Sequence, residues 1–363
     1  MSHIDDIENP YIPEFEKYLK TPEPSVRERA DYWRTAIGLQ AVDQLSVSDF
    51  LKQTAQQHIE GQINTEEAEK RIKTYYQAKE IRLPDDNEKE EADKVAMNIT
   101  KLLSEQSFTF SVAGLASLHR QIFNGVFKHA GQFRDYDITK KEWVLDGDTV
   151  LYSRWQDLRM TLEYDLEREK RFDYTSLALP DAIRHIADFV AGIWQIHPFR
   201  EGNTRTTAIF TIKYLRSIGF KQINNDLFEQ HSWYFRNALV RANYKNVAKA
   251  VNPDSSYLVA FFRNLLLNEQ TSLHNRDLHI SLSGSQSAFQ SANSVLSKSN
   301  NCTLEETAVL QIIQQDPRAT QKQIAQAIGK SERTVKTITV NLTQKGLIVR
   351  RNGKRDGYWE MKR

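Results

Sequence analysis

Residues 197–205 carry the side chains of this chain that are best suited to chemistry, in the order His-Pro-Phe-Arg-Glu-Gly-Asn-Thr-Arg. His197 can take a proton from a hydroxyl group near neutral pH. Glu201 can hold Mg²⁺ or Mn²⁺ against phosphate oxygens, and Arg205 can bind a phosphate through two parallel hydrogen bonds. This combination predicts phosphoryl or nucleotidyl transfer to a hydroxyl group.

Two helices must position this run. Before it, apolar residues recur at helical spacing from Pro180 to Trp194, and after it a second helical pattern runs from Asn203 to Gly219. A loop that opens onto a helix N-terminus favours an anion, because free backbone N–H groups and the helix dipole both point at it. The sequence therefore predicts a phosphate-binding loop between two helices.

The run resembles the signature of the Fic family, His-x-Phe-x-(Asp/Glu)-Gly-Asn-(Gly/Lys)-Arg-x-x-Arg. Two positions depart from it. Thr204 stands where AMP-transferring members carry Gly and Doc-type kinases carry Lys, and Ala208 stands where the second arginine is expected. The matching residues are His197, Phe199, Glu201, Gly202, Asn203 and Arg205.

The resemblance implies a mainly α fold, a Fic-type helical bundle that transfers AMP from ATP to a hydroxyl side chain of a protein. This chain itself is one candidate target. It assigns the base to His197 and the Mg²⁺ ligand to Glu201. The phosphates would be bound by Gly202, Asn203, Thr204 and Arg205. The two departures leave two alternatives: transfer of another phosphate-linked group, or a DNA-binding regulator whose Fic domain is inactive or a sensor.

Residues 138–152 interrupt the helical pattern with Asp-Gly between β-branched and aromatic residues, which predicts a short β-hairpin. Fic-like proteins carry a β-hairpin flap at this place, after a segment that here reads His129-Ala-Gly-Gln-Phe-Arg134. The resemblance implies that Ile138, Thr139 and Lys140 hold the target chain by strand addition.

Glu60-Gly61 is a candidate regulatory element. Many Fic proteins are held inactive by a helix bearing Ser/Thr-x-x-x-Glu-(Gly/Asn), whose glutamate enters the nucleotide site. Here Gln56 replaces the Ser/Thr, and Glu60 and Gly61 match. The resemblance implies inhibition in cis by Glu60; the alternative is an ordinary helix C-terminus.

The C-terminal 61 residues differ in charge from the rest of the chain. Residues 303–363 hold 12 Lys/Arg and 6 Asp/Glu, a net charge of about +6, while the whole chain carries +2. Three helices followed by two β segments, 347–351 and 358–362, predict a winged helix-turn-helix. Its candidate DNA contacts are Arg333, Lys336, Arg350, Arg351 and Lys354; a domain for protein contacts is the alternative.

Composition shifts predict four segments: an arm with helices (1–90), a catalytic domain (91–268), a linker (269–302) and the winged helix (303–363). One cysteine, Cys302, excludes an intramolecular disulfide framework. The polar N-terminus is not a signal peptide, and no apolar run approaches the length of a membrane span. We therefore expect a cytoplasmic protein without membrane contacts, and a homodimer is one option for its assembly.

Overall fold

The computed structural model describes residues 13–79, 83, 85–175, 177–220, 223, 226–281, 302–351 and 357–362. These ranges are mainly helical, as the sequence predicts. The helices are α1 (Pro13–Leu19), α2 (Pro24–Gly38), α3 (Asp49–Ile59), α4 (Thr65–Gln77), α5 (Asp86–Ser104), α6 (Val112–Ile122), α7 (Leu158–Lys170), α8 (Leu179–Ile196), α9 (Asn203–Ser217), α10 (Asp226–Gln230), α11 (Ser232–Asn243), α12 (Ser256–Leu267), α13 (Asn275–Leu278), α14 (Leu304–Gln315), α15 (Gln321–Ile328) and α16 (Glu332–Gln344). The strands are β1 (Ile348–Arg351) and β2 (Tyr358–Met361).

The chain divides into two compact units. The larger comprises Met1–Glu169, Ala187–Lys213 and Asn224–Gly284, and the smaller comprises Lys170–Ile186, Tyr214–Ile223 and Ser285–Arg363. In the larger unit α2 packs against α1, α5 and α10, and α11 packs against α12. The domain boundaries given above stay predictions.

Helices α8 and α9 hold the run 197–205 between them, as predicted. Pro180 lies in the first turn of α8, where its missing N–H costs no hydrogen bond. The apolar stripe of α8 is buried throughout, and it ends at Trp194 and Ile196. Burial of this stripe fixes the point at which the motif loop leaves the core.

The predicted β-hairpin at 138–152 is wrong. The described chain forms no strand there: Trp143–Leu145 is a 3₁₀ helix, and Val144 and Leu145 are fully buried. The Asp146-Gly147 turn itself is present, with positive φ values of 56° and 79°. Burial of the two apolar side chains pulls the chain out of strand geometry. The backbone bonds from Glu142 N to Asp148 O, 2.9 Å, and from Gly147 N to Glu142 O, 3.0 Å, close this flap segment without a ladder.

The smaller unit contains the predicted winged helix-turn-helix. Thr303, Thr320 and Ser331 cap α14, α15 and α16 through their hydroxyls, and Gly329 ends α15 at φ 68°. Strands β1 and β2 pair antiparallel, with Ile348 opposite Met361. The three helices and the sheet share one core, which is formed by Val309, Ile313, Ile324, Ile328, Val335, Leu342, Ile348 and Trp359 among others.

Candidate active site

The motif loop joins Ile196, the last residue of α8, to Asn203, the first residue of α9. Two of its residues adopt left-handed backbone geometry, His197 with φ 51° and Gly202 with φ 73°. His197 is one of only a few non-glycine residues with positive φ in the described chain, a conformation that costs energy and concentrates at functional sites.

Asn203 closes the loop on itself. Its side-chain oxygen accepts from Phe199 N at 2.9 Å, and its side-chain nitrogen donates to Phe199 O at 2.8 Å. Thr206 adds a bond from its hydroxyl to Gly202 O at 2.9 Å. Asn203 therefore shapes the loop with both of its polar atoms, and its predicted contact with a phosphate stays a prediction.

Arg134, which follows the His129-Ala-Gly segment, fastens the loop from outside. The side chain of this buried arginine donates from Nε to His197 O at 2.8 Å and from Nη1 to Tyr136 O at 2.7 Å. Its backbone N–H donates to Pro198 O at 2.8 Å. Its guanidinium fork also bonds Ser153 O. The sequence did not predict this role, although the arginine ends the segment on which the family resemblance rests.

His119 is a second positioning residue that the sequence did not identify. It lies on α6, stacks on the Phe199 ring at 3.8 Å, and accepts from Gly131 N at 2.8 Å. That bond places the proton on Nε2, which donates to Glu201 O at 3.0 Å. Burial lowers the pKa of His119 to about 4, so it is a neutral clamp on the loop. Its place on an apolar helix face was the only signal in the sequence.

His197 has the geometry of a proton acceptor. Its Nδ1 lies 3.2 Å from Trp194 O, so the proton belongs on Nδ1. Its Nε2 is buried and has no hydrogen-bond partner among the described residues. Burial, and then the nearby charge of Lys140, hold the pKa of His197 well below its ordinary value. The imidazole is therefore neutral at pH 7, and the lone pair of Nε2 accepts no hydrogen bond from the described residues.

Glu201 is the accessible carboxylate of the loop. Its side chain is 59% exposed and lies 3.6 Å from Lys140 Nζ. It borders a cavity of about 360 Å³ whose lining also contains Val42, Asp43, Gln44, Leu45, Glu91, Phe127, Arg205, Trp233 and Arg236. The described residues hold no cluster of three or more His, Cys, Asp or Glu side chains that could ligate a metal. One carboxylate completed by phosphate oxygens is a donor set that Mg²⁺ accepts.

Arg205 does not present a free fork to a phosphate, which corrects its predicted role as a bidentate clamp. Only 2% of its side chain is exposed, and two carboxylates hold it: Asp43 at 2.8 Å from Nε and Glu91 at 2.7 Å from Nη2. Gln40 accepts from Nη1 at 3.0 Å. A buried arginine requires such partners, so in this conformation Arg205 links the motif to α5 and to the 3₁₀ helix Leu39–Asp43.

A contact with Trp194 explains why residue 204 is a threonine. The hydroxyl of Thr204 accepts from Trp194 Nε1 at 3.0 Å, in the buried interior. Glycine at this position would leave the indole N–H without that acceptor. The side chain of Thr204 is thus structural, and the predicted phosphate contact can involve its backbone N–H alone.

Glu60 does not enter the site, which corrects the predicted cis inhibition. It caps the end of α3, accepts from Tyr18 Oη, and accepts from Gln56 Nε2 at 3.0 Å. The preceding carbonyl, of Ile59, accepts from Arg29 at 2.8 Å. Arg29 lies nine residues before the end of α2, which is roughly 14 Å along the helix at 1.5 Å per residue. Gln40 and Asp43, which bind Arg205, come after that end. In this structure Glu60-Gly61 forms the C-terminal end of α3.

The predicted docking residues Ile138, Thr139 and Lys140 lie on the extended part of the flap segment. Thr139 is exposed and Ile138 half-buried. Lys140 N donates to Thr149 Oγ1 at 3.2 Å. Asp148 ties the segment to the residues after α11 by accepting from Tyr244 Oη at 2.7 Å. Docking of a target chain here stays a prediction.

The predicted DNA contacts differ in how they are engaged. Arg333 and Lys336 are exposed on α16. The guanidinium of Arg350 lies 4.8 Å from the Trp359 ring centre, and Arg351 forms an ion pair with Glu360 at 2.5 Å. Lys354 lies outside the described residues.

Among the described residues, no helix is long and apolar enough to cross a membrane.

Comparison with known proteins gives two domain assignments. Residues 109–215 match the model of the Fic/DOC family, and residues 306–349 match the model of a winged helix-turn-helix that is DNA-binding. A probable protein adenylyltransferase of Sinorhizobium fredii is 26% identical over 170 residues, which are 44% of this chain and 79% of the relative.

Solved structures align with this chain at low similarity. A Fic family protein from Desulfovibrio desulfuricans aligns over 96% of this chain and 90% of its own, with 12% identity and a TM-score of 0.42. The BepC protein of Bartonella tribocorum, with bound AMPPNP, aligns over 51% of this chain and 88% of its own, with 18% identity and a TM-score of 0.37.

Proposed function

We propose that this chain, which carries a Fic domain followed by a winged helix-turn-helix, transfers AMP from ATP to a hydroxyl side chain of a protein. The observation that carries the proposal is the state of His197: a neutral imidazole whose Nε2 is buried without a partner among the described residues. Glu201 of the same loop and Arg205 at the start of α9 both line a cavity. The relative described as a probable protein adenylyltransferase supports this reaction.

In the proposed reaction, the substrate hydroxyl gives its proton to His197 Nε2 while its oxygen bonds the α-phosphorus. The bond from that phosphorus to the bridging oxygen breaks, and pyrophosphate leaves. Because Nε2 is covered in this conformation, neighbouring side chains must move before a hydroxyl reaches it. The rate would come from alignment of the two reactants and from charge neutralisation at the phosphates.

Glu201 is the residue that would hold Mg²⁺ or Mn²⁺, since it is the one acid of the loop and its exposed carboxylate borders the cavity. The ion would supply positive charge against the phosphate oxygens. The remaining orientation falls to the chain itself. His119 and Arg134 bind the backbone carbonyls of Glu201 and His197 respectively. These bonds fix the backbone positions from which the two functional side chains extend.

The proposed reaction is tested by following the transfer of label from ATP to protein. The full chain is incubated with Mg²⁺ and ATP labelled at the α- or the γ-phosphate, with and without cell lysate, beside His197→Ala. We expect protein label from α-labelled ATP alone, and none with the variant. Label from γ-labelled ATP alone would make the enzyme a kinase, and equal labelling by the variant would remove His197 from the mechanism.

A second candidate function is DNA binding by residues 303–363, either beside the transferase activity or in its place. It is favoured by the exposed Arg333 and Lys336 on α16 and by the net charge of about +6. Phosphate contacts release counter-ions, so the logarithm of the binding constant should fall linearly with the logarithm of the salt concentration. The double variant Arg333→Ala/Lys336→Ala should bind DNA more weakly and with a smaller salt slope. Unchanged affinity and slope would argue for a protein-contact domain.

A further inference from the structure

Two residues of α11, Trp233 and Arg236, line the same cavity as Glu201 and Arg205 but belong to no recognised motif. They are three residues apart and thus neighbours on one helix face. The guanidinium of Arg236 lies 5.0 Å from the Trp233 ring centre. The two side chains therefore form one unit in the cavity wall.

The indole of Trp233 has a hydrogen-bond donor that the described residues leave unused. Only 6% of the residue is exposed, and its Nε1–H is buried without an acceptor among the described residues. A buried donor without an acceptor costs free energy. An acceptor atom on a molecule in the cavity would remove that cost.

Arg236 adds a positive charge whose counter-ion lies outside the cavity lining. Its Nη1 is 2.7 Å from Glu142 Oε2, and Glu142 is 1% exposed. The ion pair uses one terminal nitrogen of a group with five N–H donors. Arg205, the other cation of the wall, is already bound by Asp43 and Glu91. Arg236 is thus the cation of this wall that is better placed to meet an anionic ligand.

We propose that Trp233 and Arg236 bind the distal phosphates of a nucleoside triphosphate, in a chain whose motif has Ala208 in place of a second arginine. Ala208 is fully buried on α9 and cannot contact a ligand in this conformation. A guanidinium from α11 can supply charge-assisted bonds to phosphate from the cavity wall. This inference rests on the proposed function, because it takes the cavity as the nucleotide site.

The experiment measures binding, not transfer. Calorimetric titration of the full chain with ATP, ADP and AMP, each with Mg²⁺, compares wild type with Arg236→Ala, Arg236→Lys and Trp233→Phe. Arg168→Ala, whose side chain is 62% exposed on α7, is the matched control. We expect Arg236→Ala to weaken ATP binding by about tenfold or more, the effect of one charge-assisted hydrogen bond, while AMP binding changes little.

Two further variants keep the test decisive if Arg236→Ala unfolds because Glu142 loses its partner. Arg236→Lys keeps the charge and loses the fork, and Trp233→Phe keeps a ring and loses the N–H; each should weaken ATP binding more than AMP binding. ATP affinity equal to wild type in all three, or equal losses for ATP and AMP, would overturn the inference. Arg236-dependent ATP binding without any label transfer would support it and reject AMP transfer instead.

Discussion

Gly202→Ala tests whether the motif loop is as tightly packed as the structure shows. A Cβ at Gly202 would lie 2.1 Å from Phe123 Cζ, and the residue has φ 73°. The Phe123 ring cannot swing aside easily, because it lies between His119 at 4.7 Å and Phe127 at 4.8 Å. Positive φ costs an alanine roughly 1–2 kcal/mol, and overpacking costs roughly 1–3 kcal/mol. We expect a total loss of roughly 2–5 kcal/mol in unfolding free energy.

Gly125→Ala is the matched control, because Gly125 has the same φ of 73° and no atom within 4 Å of the position that an added methyl group would take. It should lose only the backbone share, roughly 1–2 kcal/mol. Urea unfolding of both variants and of wild type gives the difference between them. In a Phe123→Leu background the excess loss of Gly202→Ala should shrink. If Gly202→Ala loses no more than Gly125→Ala, the close approach of the ring and the loop is not as the structure has it.

Three further predictions concern single side chains. The pKa of His197 is lowered by burial and then by Lys140, so transfer should persist below pH 6.5; Lys140→Met should move the acidic limb of the pH–rate profile upward, and an unmoved limb would exclude this coupling. Glu60→Gly should leave the initial rate of label transfer unchanged, whereas a clear rise would restore the inhibitory role. Thr204→Gly removes the acceptor of Trp194 Nε1 and should lower the unfolding free energy by about 1–3 kcal/mol, measured by urea unfolding; a neutral change would contradict it.

Local pattern was sufficient for the helices around the site. The apolar period from Pro180 to Trp194 predicted α8, and the start of α9 at Asn203 followed from the break in that period. Capping was harder to place. Asn64, and not the neighbouring Thr65, caps α4 through its side-chain oxygen; both residue types cap well, and only the backbone geometry decides between them.

The flap segment shows where local pattern fails. The Asp146-Gly147 turn was predicted correctly, because its dipeptide tolerates positive φ. A β-ladder needs a partner strand along its length. Whether Val144 and Leu145 are buried depends on a core that their own sequence does not reveal. Their burial as part of a 3₁₀ helix is a tertiary effect that overrides strand propensity.

The role of Arg205 could not be predicted, because its partners are remote in sequence. Gln40 precedes it by 165 residues and Glu91 by 114. A sequence motif specifies only the residues that share one loop. Whether a charged side chain of that loop is free to bind a ligand depends on the charged groups of every element packed against the loop. Both carboxylates around Arg205 come from helices before the motif, and the cation that we assign to the ligand, Arg236, comes from a helix after it. The missing arginine at Ala208 is therefore no argument against triphosphate binding until Trp233 and Arg236 have been tested.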